Sequence, residues 1–361
     1  MSRKYNFNPG PSTLPLPVLE KVRDELLDYQ GTGMSIVESS HRGPEYKQIH
    51  ERAVDLIGEL LELPAGYRVL FLGGGATMQF SMVPLNFLWG ERFCSFTVTG
   101  AWAKKALGYA HKAGRVELAF DGAADGYTSL PDAAGLEVDS GSAYLHLTSN
   151  ETIGGLQWQS WPGCGEVPMV CDMSSDILSR PVPAERFGLI YAGAQKNLGP
   201  AGVTLVIISP EMLERCNPDL TAYLSYTQQA AKNAPINTPP VFAVYMLELV
   251  LEHLKEQGGV QVAEKRSRER ADLLYSAIDE SGGFYRSPVA RDSRSKMNVV
   301  FRLPTEELEQ KFIAGAAERN MVGLKGHRSV GGLRASIYNA MPVEGASLLA
   351  DFMRDFAAAN G

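Results

Sequence analysis

The segment YAGAQKN occupies residues 191–197 and follows the apolar pair Leu189 and Ile190. It places Lys196 among small residues just past a predicted strand, where lysine is rarely buried without a partner or a role. Burial lowers the pKa of an amine, and a neutral amine can form a Schiff base with a carbonyl compound. A solvated loop lysine is the alternative interpretation of this residue taken alone.

Apolar runs that predict strands alternate with helical patterns on both sides of this segment. The predicted strands are 69–72, 93–99, 143–147, 168–171, 189–191 and 203–208. The runs are continuous rather than alternating, which is typical of strands buried on both faces of a parallel α/β sheet.

Helical periodicity predicts helices after Pro44 and over 78–88 and 101–113, with Pro84 as a kink or early stop. A longer helix is predicted over 239–257, capped by Thr238 and ended by Gly258.

From about Lys296 the pattern changes to strand 298–301, helix 305–319, strand 334–337 and helix 343–357, which predicts a second α/β unit. We therefore divide the chain into a large cofactor-binding domain, 1–258, and a small C-terminal domain, 259–361. The N-terminal segment 1–15 is expected near the active site. The charged run EKRSRER at 264–270 is interpreted as a solvated helix face.

Three further signals surround Lys196 in the predicted sheet. The run GGGAT at 73–77 lies between a strand and a helix, where backbone N–H groups can hold a phosphate, although a tight turn is the alternative. Asp172 follows the strand 168–171, at the sheet edge where α/β proteins bind ligands, although a helix cap is equally compatible. Trp102 is either a core residue or an aromatic plate for a planar ring.

A phosphate-binding turn, a strand-end acid, a lysine and an aromatic plate together fit one cofactor. Pyridoxal 5′-phosphate has a phosphate to hold and an aldehyde for a lysine. Its ring nitrogen must stay protonated to accept electrons, which a neighbouring carboxylate ensures. The combination is far more specific than any single member.

Composition argues against several other classes of protein. The chain has 361 residues, with 34 basic and 41 acidic side chains and a net charge of −7, which argues against coating nucleic acid by bulk attraction. The start lacks an apolar signal-peptide core, and no apolar run approaches the roughly 18 residues of a membrane span. Four scattered cysteines form no CxxC pair, so we expect reduced thiols, no metal site and a cytoplasmic protein.

Two His-Arg pairs suggest the substrate. These are His41-Arg42 and His327-Arg328, with Arg334 beyond the second. Arginine binds carboxylates and phosphates through a bidentate fork. In an acidic chain this local basic set predicts a small, multiply anionic substrate, while surface ion pairing is the alternative for each arginine.

Long stretches resemble the phosphoserine aminotransferase family, which belongs to class V of the fold-type I pyridoxal-phosphate enzymes. The matching stretches are SHRG at 40–43, SNETI at 149–153, DMSSDILSRP at 172–181, YAGAQKN at 191–197, NTPP at 237–240 and KGHRSVGGLRASIYNA at 325–340. The resemblance implies an α/β fold with a mostly parallel central sheet. It also implies a homodimer with shared active sites and small-molecule substrates, with neither nucleic acid nor membrane as a partner.

The resemblance implies cofactor-binding roles for nine residues. Lys196 would form the Schiff base, Asp172 would pair with the pyridine nitrogen, and Trp102 would stack on the ring. The others would contact the phenolic-oxygen side or the phosphate, the last two from the partner subunit: Thr152, Ala76, Thr77, Gln195, Asn237 and Thr238. For the substrate, His41 and Arg42 with His327 and Arg328 of the other chain would hold its phosphate or side-chain carboxylate, and Arg334 its α-carboxylate.

The activity implied is transamination between L-glutamate and 3-phosphohydroxypyruvate, and family members also act on a four-carbon analogue. Pro9 replaces a serine of many relatives, and Ala76-Thr77 replaces a Gly-Arg of some. Two alternatives stay open. One is another class V enzyme, such as an alanine–glyoxylate aminotransferase or a desulfurase, for which Cys216 is the only loop-like thiol. The other is a non-catalytic protein that binds a phosphorylated ligand.

Overall fold

The computed structural model describes residues 3–231 and 235–361. The first two residues of the segment 1–15 therefore lie outside the described residues. In chain order, the N-terminal part contains β1 (Tyr5–Asn6), α1 (Leu16–Glu25), α2 (Pro44–Leu60), β2 (Arg68–Leu72), α3 (Gly75–Phe87), β3 (Phe93–Val98), α4 (Ala101–Ala113) and β4 (Arg115–Asp121). The middle contains β5 (Leu145–Thr148), β6 (Met169–Asp172), β7 (Phe187–Gly193), β8 (Thr204–Ile208), α5 (Pro210–Glu214) and α6 (Tyr226–Ala231). The remainder contains α7 (Val241–Glu256), α8 (Gly259–Asp279), β9 (Asn298–Phe301), α9 (Glu306–Glu318), β10 (Met321–Val322), β11 (Leu333–Ser336) and α10 (Val343–Asn360).

The central sheet has seven strands in the order β2-β8-β7-β6-β5-β3-β4. Only β8 runs against its neighbours, since it pairs antiparallel with both β2 and β7. The expectation of a mostly parallel sheet is confirmed. The carboxyl ends of β2, β3, β5, β6 and β7 consequently share one edge, and the loops that leave them meet there.

The two faces of this sheet pack into separate cores because successive side chains of a strand point to opposite sides. In β6, Met169 and Cys171 face a core shared with α2 and α7. Val170, between them, faces a second core shared with α3 and α4. Asp172 has the same parity as Val170, so its side chain points to the side of the sheet that carries α4.

The smaller C-terminal core forms around the antiparallel pair β9 and β11, with α8, α9 and α10 packed on it. Phe301, Phe312 and Met353 are fully buried there. The N-terminal segment contributes as well, because β1 pairs in parallel with β10 and Phe7 belongs to this core.

Two helix predictions differ from the structure. The predicted start at Pro239 is wrong, because α7 begins at Val241 and Thr238 does not cap it. A residue that precedes proline is disfavoured in the helical region, and Pro239 precedes Pro240. Pro84 does not stop α3, which continues to Phe87 while Met82, Val83 and Phe87 are buried.

The charged run 264–270 is only partly solvated. Arg270 lies in α8 with 1% of its surface exposed, so the interpretation of the whole run as a solvated face is wrong at this position. Its guanidinium donates to the carbonyls of Ile337 and Met341 and to the hydroxyl of Ser267. Arg270 therefore ties α8 to the segment that follows β11.

Candidate active site

Lys196 lies just past β7, half-buried at the sheet edge where the strand ends converge. Its Nζ donates to Thr152 Oγ1 at 2.6 Å and lies 5.7 Å from the centroid of the Trp102 ring. Burial lowers the pKa of the amine to about 8, while the carboxylates of Asp172 and Glu151 oppose that shift. A substantial fraction of the amine is therefore neutral near physiological pH, as a nucleophile or general base requires.

Asp172 is the last residue of β6, and its side chain is buried. Its Oδ1 accepts a hydrogen bond from the backbone N–H of Ser174 at 2.9 Å. Burial raises the pKa of the carboxyl, while hydrogen bonds from Ser174 and the charge of Lys196 oppose the rise. Among the described residues no cation lies within ion-pair distance of it, so a cationic ring N–H would compensate this buried carboxylate.

Trp102 lies in the first turn of α4. The side chain of Glu151, for which no role was predicted, caps that turn. Glu151 accepts hydrogen bonds from the backbone N–H groups of Trp102, at 3.0 Å, and Ala103, at 2.8 Å. A Cβ on Gly100 would come within 2.6 Å of the Glu151 carboxyl carbon, so only glycine allows this approach. Burial raises the pKa of Glu151 to about 7.

Sequence reasoning missed Glu151, although it lies within the quoted stretch 149–153. One signal was available. The predicted helix 101–113 follows Gly100, which has no side chain to cap it, so its first N–H groups need an acceptor from elsewhere in the chain.

Arg334 lies in β11. Thr152 forms hydrogen bonds with both Arg334 and Lys196. The Nη1 of Arg334 donates to the backbone carbonyl of Thr152 at 3.0 Å. The Nε of Arg334 is buried and has no hydrogen-bond partner among the described residues. An unpaired buried donor is costly, and a carboxylate is the group that a guanidinium binds best.

The glycine turn before α3 has the geometry of a phosphate site. Gly74 adopts a left-handed conformation with φ of 87° and serves as the N-cap, and a Cβ there would come within 2.6 Å of Met78. Ala76 and Thr77 follow in the first turn. Lys105 of α4 reaches over from the Trp102 helix, with its Nζ 3.4 Å from Thr77 Oγ1. This lysine, to which the sequence assigns no role, supplies a positive charge at the turn.

The segment before α1 contacts the lysine loop. The N–H of Ser12 donates to the Gln195 carbonyl at 3.0 Å, and its hydroxyl donates to the Lys196 carbonyl at 2.7 Å. A Cβ on Gly10 would lie 3.3 Å from Lys196 Cγ. Pro9 acts through its backbone, because its carbonyl accepts the hydroxyl of Tyr338 at 2.7 Å.

The other substrate and phosphate candidates lie apart from Lys196 within one chain. Among the described residues no hydrogen bond or ion pair joins either His-Arg pair to the lysine. His327 Nδ1 pairs with the Ser329 hydroxyl at 2.7 Å, and Arg328 is exposed. In the loop before α7, Asn237 donates to the Thr238 carbonyl at 3.0 Å. The roles of His41, Arg42, His327, Arg328, Asn237 and Thr238 remain predictions that involve a second subunit.

The residues that do converge fit pyridoxal phosphate. Buried Asp172 requires a cation, the indole N–H of Trp102 and the hydroxyl of Thr148 are buried without partners, and the turn at Gly74 presents N–H groups. Within residues 3–231 and 235–361, no cluster of three or more His, Cys, Asp or Glu side chains could hold a metal ion.

Cys216 is not the mobile thiol that a desulfurase requires. It is 7% exposed, and its Sγ lies 3.5 Å from the Met212 carbonyl. Burial raises its pKa, so the reactive thiolate is disfavoured. None of the described helices is long and apolar enough to cross a membrane.

Comparison with known proteins agrees with this geometry. The family described as aminotransferase class V matches residues 4–349. The phosphoserine aminotransferase of Geobacillus kaustophilus is 52% identical over 356 residues, covering 99% of both chains. That of Bacillus subtilis is 48% identical over 360 residues and covers all of both chains.

Solved structures are similarly close. The phosphoserine aminotransferase of Bacillus circulans subsp. alkalophilus superposes with a TM-score of 0.97 at 49% identity, covering 99% of both chains. A pyridoxal-phosphate-bound phosphoserine aminotransferase from Trichomonas vaginalis superposes with a TM-score of 0.92 at 34% identity, covering 98% of this chain and all of the other. The chain therefore belongs to the class V aminotransferase family and, within it, to the phosphoserine aminotransferases.

Proposed function

We propose that the protein transfers the amino group of L-glutamate to 3-phosphohydroxypyruvate, reversibly, to give O-phospho-L-serine and 2-oxoglutarate, a step of serine biosynthesis. The observation that carries the proposal is the convergence of Lys196, Trp102 and buried Asp172 with the unpaired donor of Arg334. Relatives named phosphoserine aminotransferase that match nearly the whole chain support it.

Pyridoxal phosphate, when bound, supplies an electron sink for the negative charge that develops as the substrate Cα loses its proton. Lys196 would hold its aldehyde end, Asp172 its ring nitrogen and Trp102 its ring face. Thr152 and Gln195 flank the lysine, while Ala76 and Thr77 with Lys105 lie at the phosphate-binding turn.

The amine of Lys196 moves the proton at the substrate Cα. A group that both takes and returns a proton works best when its pKa is near the operating pH, and burial brings this pKa to about 8. The hydroxyl of Thr152, 2.6 Å away, orients the amine. Asp172 would keep the ring nitrogen protonated, and the low dielectric of its buried position would strengthen that pairing.

Arg334 would bind the α-carboxylate that the amino acid and keto acid substrates share. The phosphate of one substrate and the γ-carboxylate of the other must then occupy a common pocket. We assign that pocket to His41 and Arg42 with His327 and Arg328 of a second chain, because flexible donors suit anions of different shape.

We further propose that two copies form a homodimer with shared sites, in which Asn237 and Thr238 reach the phosphate of the partner subunit's cofactor. Exposed apolar side chains concentrate before the first His-Arg pair, which is typical of an interface. Leu27 is 85% exposed and Val37 is 58% exposed.

A complementation experiment tests shared sites. Subunits with Lys196→Ala and subunits with Arg328→Gln are each expected to be nearly inactive. Mixed dimers regain activity, because one of their two sites then has an intact lysine and an intact arginine. If mixing restores no activity although mass measurements find mixed dimers, Lys196 and Arg328 do not act across the interface.

Steady-state assays with glutamate and each phosphorylated keto acid test the substrate. We propose that the four-carbon compound on the route to 4-phosphohydroxythreonine, in pyridoxal phosphate biosynthesis, is also accepted, because the same anion-binding groups serve both lengths. Lys196→Ala should abolish turnover and the visible absorbance of the bound cofactor. Turnover that persists without lysine, or protein that binds no pyridoxal phosphate, contradicts the proposal. Release of sulfide from cysteine would favour a desulfurase instead.

A further inference from the structure

A cavity of about 530 Å³ lies between the two domains and is separate from the site described above. Its walls come from α7, the first half of α8, the segment 15–17 and the loop 339–343. Most of the lining is apolar and includes Leu16, Val250, Leu254, Val262 and Met341. Lys196, Asp172 and Trp102 do not line it. Its volume falls in the range of sites for small organic molecules.

The charged groups of this cavity all have one sign. Arg3, Arg266 and Arg270 line it together with His253, and no aspartate or glutamate does. None of the three arginines forms an ion pair with a carboxylate among the described residues. Arg266 donates instead to the neutral amide of Gln257 at 3.1 Å, and Arg3 donates to the Leu14 carbonyl at 2.7 Å.

Arg270 is the most constrained of the three. It is 1% exposed, and its partners are two carbonyls and a hydroxyl, none of which carries a charge. A guanidinium has five N–H donors, so these three hydrogen bonds leave two donors free. A buried charge without a counter-charge is unfavourable, and an anion in the cavity would relieve that cost.

Arg266 and Arg270 are four residues apart in α8 and therefore lie one above the other on the same helix face. Two guanidinium groups at this spacing can share one carboxylate, while the apolar walls suit a hydrocarbon body. We propose that this cavity binds a small organic anion consisting of a carboxylate attached to an apolar body.

The cavity also borders the joint between the domains. Gly258 and Gly259, which connect α7 to α8, have φ of 100° and 69°, a conformation that glycine adopts at little cost. Asn339, in the cavity wall, donates its backbone N–H to Oδ1 of Asn197 at 3.0 Å. Asn197 is the residue that directly follows Lys196. An occupant would thus contact both sides of the domain junction.

Hexanoate is a suitable probe, and hexan-1-ol and inorganic phosphate are its matched controls, since each lacks one half of the proposed ligand. Binding to the holoenzyme is measured by ligand-observed NMR and calorimetry. We expect hexanoate to saturate with a Kd of about 1 mM or below, and both controls to bind at least about tenfold more weakly. Arg266→Gln should weaken hexanoate binding about tenfold, because it removes one charge-assisted contact at an exposed side chain.

A parallel variant, Arg334→Gln, separates the cavity from the catalytic site, which also binds carboxylates. The proposal predicts that Arg334→Gln leaves hexanoate binding to the cavity unchanged. It is overturned if hexanoate does not bind, if hexan-1-ol or phosphate binds equally well, or if Arg334→Gln rather than Arg266→Gln removes binding. Unchanged cofactor absorbance and melting temperature in Arg266→Gln verify that the holoenzyme is intact.

Discussion

Replacing Glu151 by glutamine tests the reasoning about the turn that carries Trp102. The carboxyl is 1% exposed, and its pKa rises from an ordinary 4.5 to about 7 because of burial. Between these two pH values the unfolded chain has lost this proton and the folded chain still holds it. Stability therefore falls as pH rises from about 4.5 to 7 and levels off above that. Since one pKa unit corresponds to about 1.4 kcal/mol, the whole effect is about 3 kcal/mol.

Glutamine has the shape of the protonated acid and does not titrate. The free energy of unfolding of Glu151→Gln, relative to the wild type, should therefore increase by about 2.5 kcal/mol between pH 5 and pH 8, most of the whole effect. The measurement is urea unfolding of both proteins, freed of cofactor, at several pH values. The other titrating groups cancel in the difference. A difference that stays constant across this range would refute the assignment of a raised pKa to Glu151.

A matched control distinguishes the site from burial in general. Glu248 in α7 also has its pKa raised to about 7 by burial, with Glu252 as a further cause, and it does not contact Trp102. Glu248→Gln should show a similar dependence of stability on pH. Only Glu151→Gln should weaken cofactor binding at pH 8, because glutamine has one acceptor for two N–H groups. An equal loss of cofactor affinity in both variants would mean that Glu151 has no special role.

Three further outcomes are expected. Arg334→Gln should raise the KM of both the amino acid and the keto acid by about tenfold or more, and an effect on only one of them would contradict a shared α-carboxylate site. Asp172→Asn should lower kcat by about 10²-fold or more with the protein still folded, measured by turnover and circular dichroism. Gly100→Ala should destabilise the protein by about 2 kcal/mol through its clash with Glu151, and unchanged thermal stability would argue against that close contact.

The sequence predicted the parts of the site that have a local signal. Asp172 and Lys196 each follow an apolar run at the carboxyl end of a strand, and parallel strands bring such ends to one edge. Trp102 likewise comes directly after a predicted strand, 93–99, at the start of the helix that follows it. The sheet itself followed from continuous apolar runs, because their length and composition exclude a half-exposed sheet.

What the sequence could not predict depends on contacts between distant segments. Glu151 caps a helix whose first residue is fifty positions earlier, and no local pattern specifies that partner. The charged run around Arg270 predicts exposure, yet Arg270 is buried. Its partners are carbonyls of a segment about seventy residues away, which no local pattern reveals. The start of α7 was misplaced for a local reason, the restriction that Pro240 imposes on the residue before it.

Thr152 contacts both the lysine loop and the C-terminal sheet, one through its side chain and the other through its backbone. Its hydroxyl accepts the hydrogen bond of Lys196, and its carbonyl accepts that of Arg334, which belongs to the C-terminal sheet. A rotation of the C-terminal unit must either break the second hydrogen bond or displace the residue that orients the amine. The orientation of the C-terminal unit and the orientation of the Lys196 amine are therefore coupled through Thr152. If a substrate carboxylate binds Arg334 as proposed, it is only one residue, Thr152, away from the amine of Lys196.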